Sequence, residues 1–430
     1  MSKPVKLKTL VAFPSTAIFG QNAALAFHER GTLDKFMTGF AYDEGGPVSS
    51  LLKALPGSKS QQIIKEMSRR RVTALSQDAM KTHAFWEIVR TAAARAGASP
   101  TLVDRIWEHM SKDFTRAAGK RLRQGANAIY AYEYTALEAF EAATKHGAAK
   151  ILDFPSLNSR QFETLQRQQK ADYPELRGPH DDYFEQLFET RQGRRDEEMN
   201  AADIIITNSS VTRQSHIDGG ANPDRTYAVP YGAPPALPEA SKPPDPSQPL
   251  RVLWAGTFNI RKGAHLLLQA LRDGQFGSDV VVDAYGAVPL PERLLKPAPK
   301  GIEFHGSVVQ TELFAAFEAA DVLMFPTLSD GFGMVVTEAF ARGLPVISTN
   351  QAGASDLIRD GENGLIIEAG NPDAIRTSIE WCCNNREQLG KMRQNALETA
   401  RNWQWSDYRK GLYDAVTDGL GKAGFEVEMS

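Results

Sequence analysis

Ser329-Asp330-Gly331-Phe332-Gly333-Met334-Val335-Val336-Thr337-Glu338-Ala339-Phe340-Ala341-Arg342-Gly343-Leu344-Pro345-Val346 reads as a loop that opens a helix and then returns to a strand. Just upstream, Asp321-Val322-Leu323-Met324-Phe325 is a short apolar strand closed by Pro326. Gly331 and Gly333 let a backbone come close to a ligand, and amides at the helix start near Gly333 can bind an anion or polar hydroxyls. Glu338 falls about one and a half turns into the helix. A carboxylate there can face a cleft and accept two hydroxyl donors. The ordinary alternative is Asp330 as a helix cap and Glu338 as a solvated helix residue.

The same alternation extends in both directions from this stretch. Strands are predicted at 250–255, 279–285, 301–305, 321–325, 345–348 and 364–367. Helices are predicted at 264–271, 313–320, 333–342, 356–358 and 373–381. Short apolar strands alternating with helices mean βαβ units and a mostly parallel sheet, and such sheets bind ligands at the carboxyl ends of their strands. Gly256-Thr257-Phe258-Asn259-Ile260-Arg261-Lys262-Gly263 lies at one such end. Arg261 offers a fork of donors and Lys262 a compact charge, a pair suited to a diphosphate. The spacing matches neither a Walker loop nor GxGxxG, and a surface turn with two solvated cations is the other reading.

The first half begins in the same way, with a strand at 9–13, a loop with Gly20, and a helix through Phe27. Later strands are predicted at 128–132, 150–154 and 203–207, with a helix from about Ser210. The charged regions 50–125 and 155–200 read as helical insertions. Eight of the 24 prolines lie between Pro230 and Pro249, which makes an irregular, stiff connector. The expected organisation is therefore an N-terminal domain at 1–232, a linker at 233–249, a C-terminal domain at 250–404, and a final helix and tail at 405–430.

The chain has 430 residues, a net charge of -3, 42% hydrophobic and 23% charged residues. That composition excludes fibrous, wholly disordered and strongly basic proteins, and no nucleic-acid partner is expected. Cys382 and Cys383 are the two cysteines, adjacent and unable to staple a large fold. No apolar run approaches a membrane span of about 18 residues, and Met1-Ser2-Lys3-Pro4 does not open a signal peptide. A cytoplasmic location is expected, with the inner face of the membrane also open. Lys112, Arg116, Lys120, Arg121 and Arg123, interleaved with Phe114 and Leu122, could rest on anionic lipid. A charge-balanced solvated helix is the favoured reading of the region 112–123. Arg69-Arg70-Arg71 is a similar, weaker signal.

Taken in order, these motifs resemble the retaining glycosyltransferases often grouped as family 4, which adopt the GT-B fold: two Rossmann-like α/β domains with a cleft between them. The resemblance covers 256–263, 301–338, 345–347, Gly353-Ala354-Ser355-Asp356 and Gly361-Glu362-Asn363-Gly364. It extends more loosely to Asn208-Ser209-Ser210-Val211-Thr212 and Pro230-Tyr231-Gly232. Trp403, Trp405, Tyr408 and Tyr413 resemble the family's last helix, which crosses back to the N-terminal domain. The resemblance implies retaining transfer from a nucleotide diphosphate sugar to a hydroxyl acceptor, lipid-linked or other, in polysaccharide or glycolipid assembly. No bound metal or cofactor is implied.

The implied donor site is Gly20, Gly256, Arg261, Lys262, Tyr285, Gly286, Val308, Asp330, Gly331, Phe332, Gly333, Met334 and Glu338. Glu338 would hold ribose hydroxyls, Asp330 sugar hydroxyls, and Arg261 with Lys262 the diphosphate. Arg261, Lys262 and Asp330 are the implied catalytic set. Asp330 stands where the family usually has glutamate, and Thr257 where many members have arginine. An acceptor-side histidine has no counterpart in Tyr130-Ala131-Tyr132-Glu133-Tyr134, which leaves Tyr132 and Glu133 as candidates there. Two other readings stay open: a non-catalytic sugar-nucleotide or glycan binder on the same scaffold, and a sugar-nucleotide epimerase or hydrolase.

Overall fold

The computed structural model describes residues 6–46, 64, 67–68, 70–240 and 245–426. Outside these lie Met1-Ser2-Lys3-Pro4, most of 50–69 including Arg69, Pro243 and Pro244 of the linker, and the tail 427–430.

Two parallel sheets organise the chain. The first contains β1 (Thr9–Ala12), β2 (Leu33–Thr38), β3 (Met80–Thr82), β4 (Ala128–Tyr132), β5 (Ala149–Phe154), β6 (Ile204–Thr207) and β7 (Thr226–Ala228), in the order β3-β2-β1-β4-β5-β6-β7. The second contains β8 (Leu250–Ala255), β9 (Val280–Tyr285), β10 (Ile302–Gly306), β11 (Val322–Phe325), β12 (Val346–Thr349) and β13 (Gly364–Ile367), in the order β10-β9-β8-β11-β12-β13. Strands β1, β4, β8 and β11 are buried along nearly their whole length, as expected for parallel strands covered on both faces. In register, Thr9 pairs with Ala128 and Val322 with Val252.

In each sheet the strand order reverses beside the first strand, between β1 and β4 and between β8 and β11. The loops leaving these strands splay apart at that point and open a crevice at their carboxyl ends. Both crevices are therefore fixed by topology before any side chain is considered.

Among the elements given whole by the described residues, the helices of the first half are α1 (Ile18–His28), α2 (Phe85–Arg95), α3 (Pro100–Leu122), α4 (Leu137–His146), α5 (Ser159–Asp172), α6 (Asp181–Ala201) and α7 (Ser210–Asp218). The second half carries α8 (Ala264–Gly274), α9 (Glu292–Leu295), α10 (Gln310–Ala319), α11 (Met334–Ala341), α12 (Pro372–Asn384), α13 (Arg386–Asn402) and α14 (Trp405–Lys422). The expected short helix at 356–358 is instead a 3-10 turn over Gly353–Leu357. Its glycine and serine cannot sustain a longer run, and Ile358 is already extended.

After β13 and two helices, the chain returns to the first sheet. Gln404 and Asp407 form a reciprocal cap that starts α14. Tyr408, Leu412, Tyr413, Val416 and Leu420 of that helix are buried. Tyr413 meets Phe27 of α1 edge-on at 6.0 Å, and Arg409 donates to Asn22 Oδ1 at 2.9 Å. Helix α5 reaches the other way: Tyr173 just beyond it donates to Gln269 Oε1 at 2.8 Å, and Gln169 meets His265 Nε2 at 2.7 Å. The two halves are thus tied at several points around the cleft. Among the described residues no helix is long and apolar enough to cross a membrane.

Candidate active site

The crevice of the second sheet is built from the loops after β8 and β11. Beyond β8, Asn259 caps a 3-10 turn over Ile260–Lys262, accepting from Lys262 N at 3.1 Å. Beyond β11, Leu328 N and Thr327 Oγ1 donate to Arg261 O at 2.8 and 3.1 Å. These bonds stitch the loops together and aim both cations at one carboxylate. Arg261 Nη1 donates to Ser329 O at 2.8 Å and to Asp330 Oδ2 at 3.0 Å, and Lys262 Nζ donates to the same Oδ2 at 3.0 Å. Lys262 Nζ also lies 4.6 Å from the centre of the Phe325 ring.

Charge decides the state of the two acids. Burial alone would raise the Asp330 pKa. The charges of Lys262 and Arg261, with their hydrogen bonds, outweigh it and hold the carboxyl below its ordinary range. Glu338 has only Lys262 pulling against burial, and its pKa is pushed up to about 7. One acid is therefore a fixed anion and the other sits near the point of protonation.

A cavity of about 360 Å³ lies between the halves, within the size range of small-molecule sites. Its C-terminal wall includes Gly256, Lys262, Asp330, Phe332, Gly333 and Glu338, with Met334 also lining it. Its N-terminal wall is Phe19, Pro155, Asn208 and Tyr231. At the seam, Gly331 is packed so tightly that a Cβ would stand 1.9 Å from Pro155 O. Its carbonyl accepts from Thr212 Oγ1 at 2.8 Å and Ser209 Oγ at 3.2 Å. Asp356 accepts from Ser210 N and Oγ at 2.6 and 2.5 Å, capping α7 from the opposite half. Gly333 precedes α11 with φ 87°, a backbone state that favours glycine.

The structure therefore brings Gly256, Arg261, Lys262, Asp330, Phe332, Gly333, Met334 and Glu338 together, and places the other candidates around them. Gly331 belongs to the seam between the halves. Gly20 is buried in α1 against the Phe13 ring, and its neighbour Phe19 lines the cavity instead. Tyr285 ends β9, Gly286 follows it and Val308 follows β10, and none of the three is among the cavity's lining residues. Tyr285 stacks on His305 at 4.5 Å, and Gly286 N donates to Gly306 O at 2.7 Å. Tyr132 is buried, 4.2 Å from Phe13 between ring centres, while Glu133 is held by Arg195 at 2.6 Å.

Phe19, Pro155, Asn208 and Tyr231 were not singled out as site residues from the sequence. Pro155 and Asn208 each immediately follow a strand of the first sheet, the position where such sheets place ligands. Tyr231 follows β7 by three residues, in the first turn of the proline-rich stretch.

Among the described residues, Asp283, Glu303 and His305 could bring metal-ligand atoms within 4.8 Å of one another. Asp283 is already engaged by Arg251 at 2.9 Å and His305 at 2.8 Å, and none of the three lines the cavity. On α3, Phe114 and Leu122 face the core rather than a membrane. Lys112 pairs with Glu108, and Arg121 with Asp34. The amphipathic reading of 112–123 is corrected to that extent: its apolar residues are consumed by packing against the first sheet.

Residues 239–402 match the family model of glycosyl transferases group 1. A D-inositol 3-phosphate glycosyltransferase of Streptomyces griseus is 30% identical over 190 residues, which are 41% of this chain and 40% of that protein. The chain spans about half the length of the curated relatives it matches. The solved structure of a sucrose-phosphate synthase from Thermosynechococcus elongatus superposes with a TM-score of 0.63 at 15% identity, covering 96% of this chain and all of that one. The HepE protein of Anabaena, solved in complex with UDP, gives 0.58 at 14% identity, covering 97% of this chain and all of that one. The fold is GT-B: two Rossmann-like domains with a cleft between them.

Proposed function

We propose that this protein transfers a glycosyl group from a nucleotide diphosphate sugar to an acceptor hydroxyl, with retention at the anomeric carbon. The observation that carries this reading is the gathering of Arg261 and Lys262 on Asp330, across the same cavity wall from Glu338. That wall lies within the segment matched by group 1 glycosyl transferases; the Streptomyces relative supports it by name, and the HepE protein, alike in fold, was solved with UDP bound.

The chemistry asked of the wall is electrostatic. As the glycosidic bond breaks, negative charge grows on the leaving diphosphate. Two cations already oriented by Asp330 stabilise it without reorganising. Both side-chain hydrogen bonds of Arg261 named above leave from Nη1, so the rest of its fork can turn to phosphate oxygens. Asp330, tied to both cations, orients them and borders the sugar, while Glu338 accepts ribose hydroxyls. The acceptor proton passes to the leaving phosphate on the same face, so no carboxylate nucleophile is needed. The two domains, divided at 233–249, would close over the donor and limit hydrolysis. Any peripheral membrane contact would involve the exposed Arg116, Lys120 and Arg123.

Thermal unfolding with a panel of UDP-, GDP-, ADP- and dTDP-sugars tests the reading, because a ligand that binds the native state raises the melting temperature. At least one is expected to protect. Failure of every common nucleotide sugar to do so would remove the donor site proposed here.

A further inference from the structure

Helix α5 is largely polar, and Gln169 alone of its residues is buried. Its carboxamide meets the other half of the molecule. His265 Nε2 donates to Gln169 Oε1 at 2.7 Å, and Gln169 and His265 are 6% and 3% exposed. Farther along, Tyr173 donates to Gln269 Oε1 at 2.8 Å, and its ring meets His265 edge-on at 4.9 Å. Residues 169 and 173 are four apart, as are 265 and 269, the spacing of neighbours along a helix face. Both bonds span the same 96 positions, so the end of α5 lies in register along the start of α8.

The turn after α5 completes the contact. Leu176 is buried in the apolar cluster of β8, β9 and α8, against which Leu165 and Tyr173 also pack. Arg293 donates to Glu175 O. Toward its own half, α5 is held mainly by polar ties to α6. Arg160 pairs with Glu189 and Asp196 at 3.4 and 3.0 Å, through side chains that are all exposed. Lys170 pairs with Asp181 at 2.8 Å, and Ser159 donates to Gln192. Exposed ion pairs contribute little, whereas buried apolar surface and a closed hydrogen bond are costly to undo. Residues 159–176 thus belong to the first half by sequence and to the second by their buried contacts.

The gripped residue is close to the cations. Gly263 opens α8 without a side-chain cap, and the first turn carries no acid, so the helix start draws support from its neighbours. His265 stands in that turn, three residues beyond Lys262. Burial holds the imidazole pKa down to about 4, so the ring is neutral at pH 7 and its Nε2 keeps a proton for Gln169. We infer that residues 159–176 form a strap that stays with the C-terminal domain, and that Gln169 is a positioning residue. Acting through His265, it holds the start of α8 and with it the Arg261–Lys262 turn. The positioning role rests on the transferase reading above, in which those cations serve the leaving diphosphate.

Amide hydrogen exchange over 257–268, beside turnover of the nucleotide sugar that protects the protein, tests the inference. Gln169→Met keeps the side chain's length and deletes the bond to His265. Tyr173→Phe removes one hydroxyl, so it carries the measurement even where the methionine variant does not fold. Each should speed exchange in 257–268 by about threefold or more, with the strands of both sheets unchanged. Each should also lower kcat, by about three- to tenfold for Gln169→Met, with donor KM within about twofold, as expected when an interaction of the transition state is lost. Arg160→Ala cuts exposed ties to α6 and should alter neither reading. Unchanged exchange in both strap variants, loosening spread evenly over both sheets, unchanged kcat, or an equal effect of Arg160→Ala would overturn the inference. If 257–268 loosens as expected but no nucleotide sugar binds, the donor reading fails while the strap stands.

Discussion

Asp330, largely buried, and Asp153, fully buried, are carboxylates beyond or at the carboxyl ends of strands in opposite halves, and their neighbours make them opposites. Asp330 faces Lys262 and Arg261, and its carboxyl is held below the ordinary range. Asp153 faces Tyr130 and Tyr132, with Glu133 close enough to repel it, and burial pushes it up to about 7. Burial is common to both; the presence of cations separates them. The C-terminal half therefore supplies fixed charge to the cleft, and the N-terminal half supplies neutral hydrogen-bonding groups on an aromatic base. This division suits a reaction in which one substrate carries a diphosphate and the other brings only a hydroxyl.

The strongest way to break this comparison is to remove the cations. Arg261→Ala with Lys262→Ala should lower kcat by about 10²–10³ or more, the range seen when preorganised charge stabilisation is lost. It also leaves Asp330 without a side-chain partner; because Arg261 is 38% exposed, the cost should fall below the roughly 3–5 kcal/mol of a fully buried pair. Adding Asp330→Asn relieves that unpaired charge, so the triple variant should regain melting temperature and not activity. Steady-state kinetics beside thermal unfolding separate the two effects. Activity recovered in the triple variant would mean that the cations serve the fold rather than the reaction.

Glu338 comes next. Glu338→Ala should weaken nucleotide binding roughly tenfold or more, since hydrogen bonds to charged groups are worth about 1.5–3 kcal/mol. Its pH behaviour sharpens the assignment. With a pKa of about 7, the carboxyl must lose a proton to accept two hydroxyl donors. Donor affinity should therefore rise as pH climbs from 6 to 8, and Glu338→Gln should flatten that profile. Calorimetric affinity across that range reads it directly, and a slope retained by the glutamine variant would place the titrating group elsewhere.

How legible each half was follows the same physics. Strands β8, β9, β11 and β12 are short apolar runs buried on both faces, and turn residues mark their ends, so they were visible in sequence. So were Lys262, Asp330 and Glu338, which lie in one contiguous half. Strand β2 was missed because Asp34 and Lys35 interrupt its first part, which is only half-buried. Strands β3 and β7 are three-residue edges, where polar residues are tolerated. Asn208 and Tyr231 carry no charge pattern and meet only when β5, β6 and the chain after β7 are assembled. The pairing of Arg261 with Asp330 spans 69 positions, and local spacing could not reveal it.

Asp153 gives a smaller effect, read in stability. Its folded pKa of about 7 lies above the reference 3.8, so the folded state holds the proton more tightly. The stability this contributes is full below the unfolded value and is lost as pH rises through about 7. Asp153→Asn removes the dependence while keeping the shape. The variant's melting temperature relative to the parent should therefore increase by a few degrees between pH 5 and pH 8. A difference independent of pH would mean that Asp153 stays charged in the fold, behind a cavity wall it does not line.

The least effect is expected at the seam. Asp356 caps α7 across the cleft through Ser210 N and Oγ, joining the charged half to the neutral one. A cap is worth about 0.5–2 kcal/mol, and the Ser210 end is exposed, which favours the lower part of that range. Asp356→Ala should therefore lower the melting temperature by only a degree or two. If the bond holds the two walls in register, the variant should also raise both donor and acceptor KM two- to threefold together. A loss confined to one substrate would show that the cap serves a single wall. Equal, modest losses would show that the two chemically different walls depend on this contact to meet across one cavity.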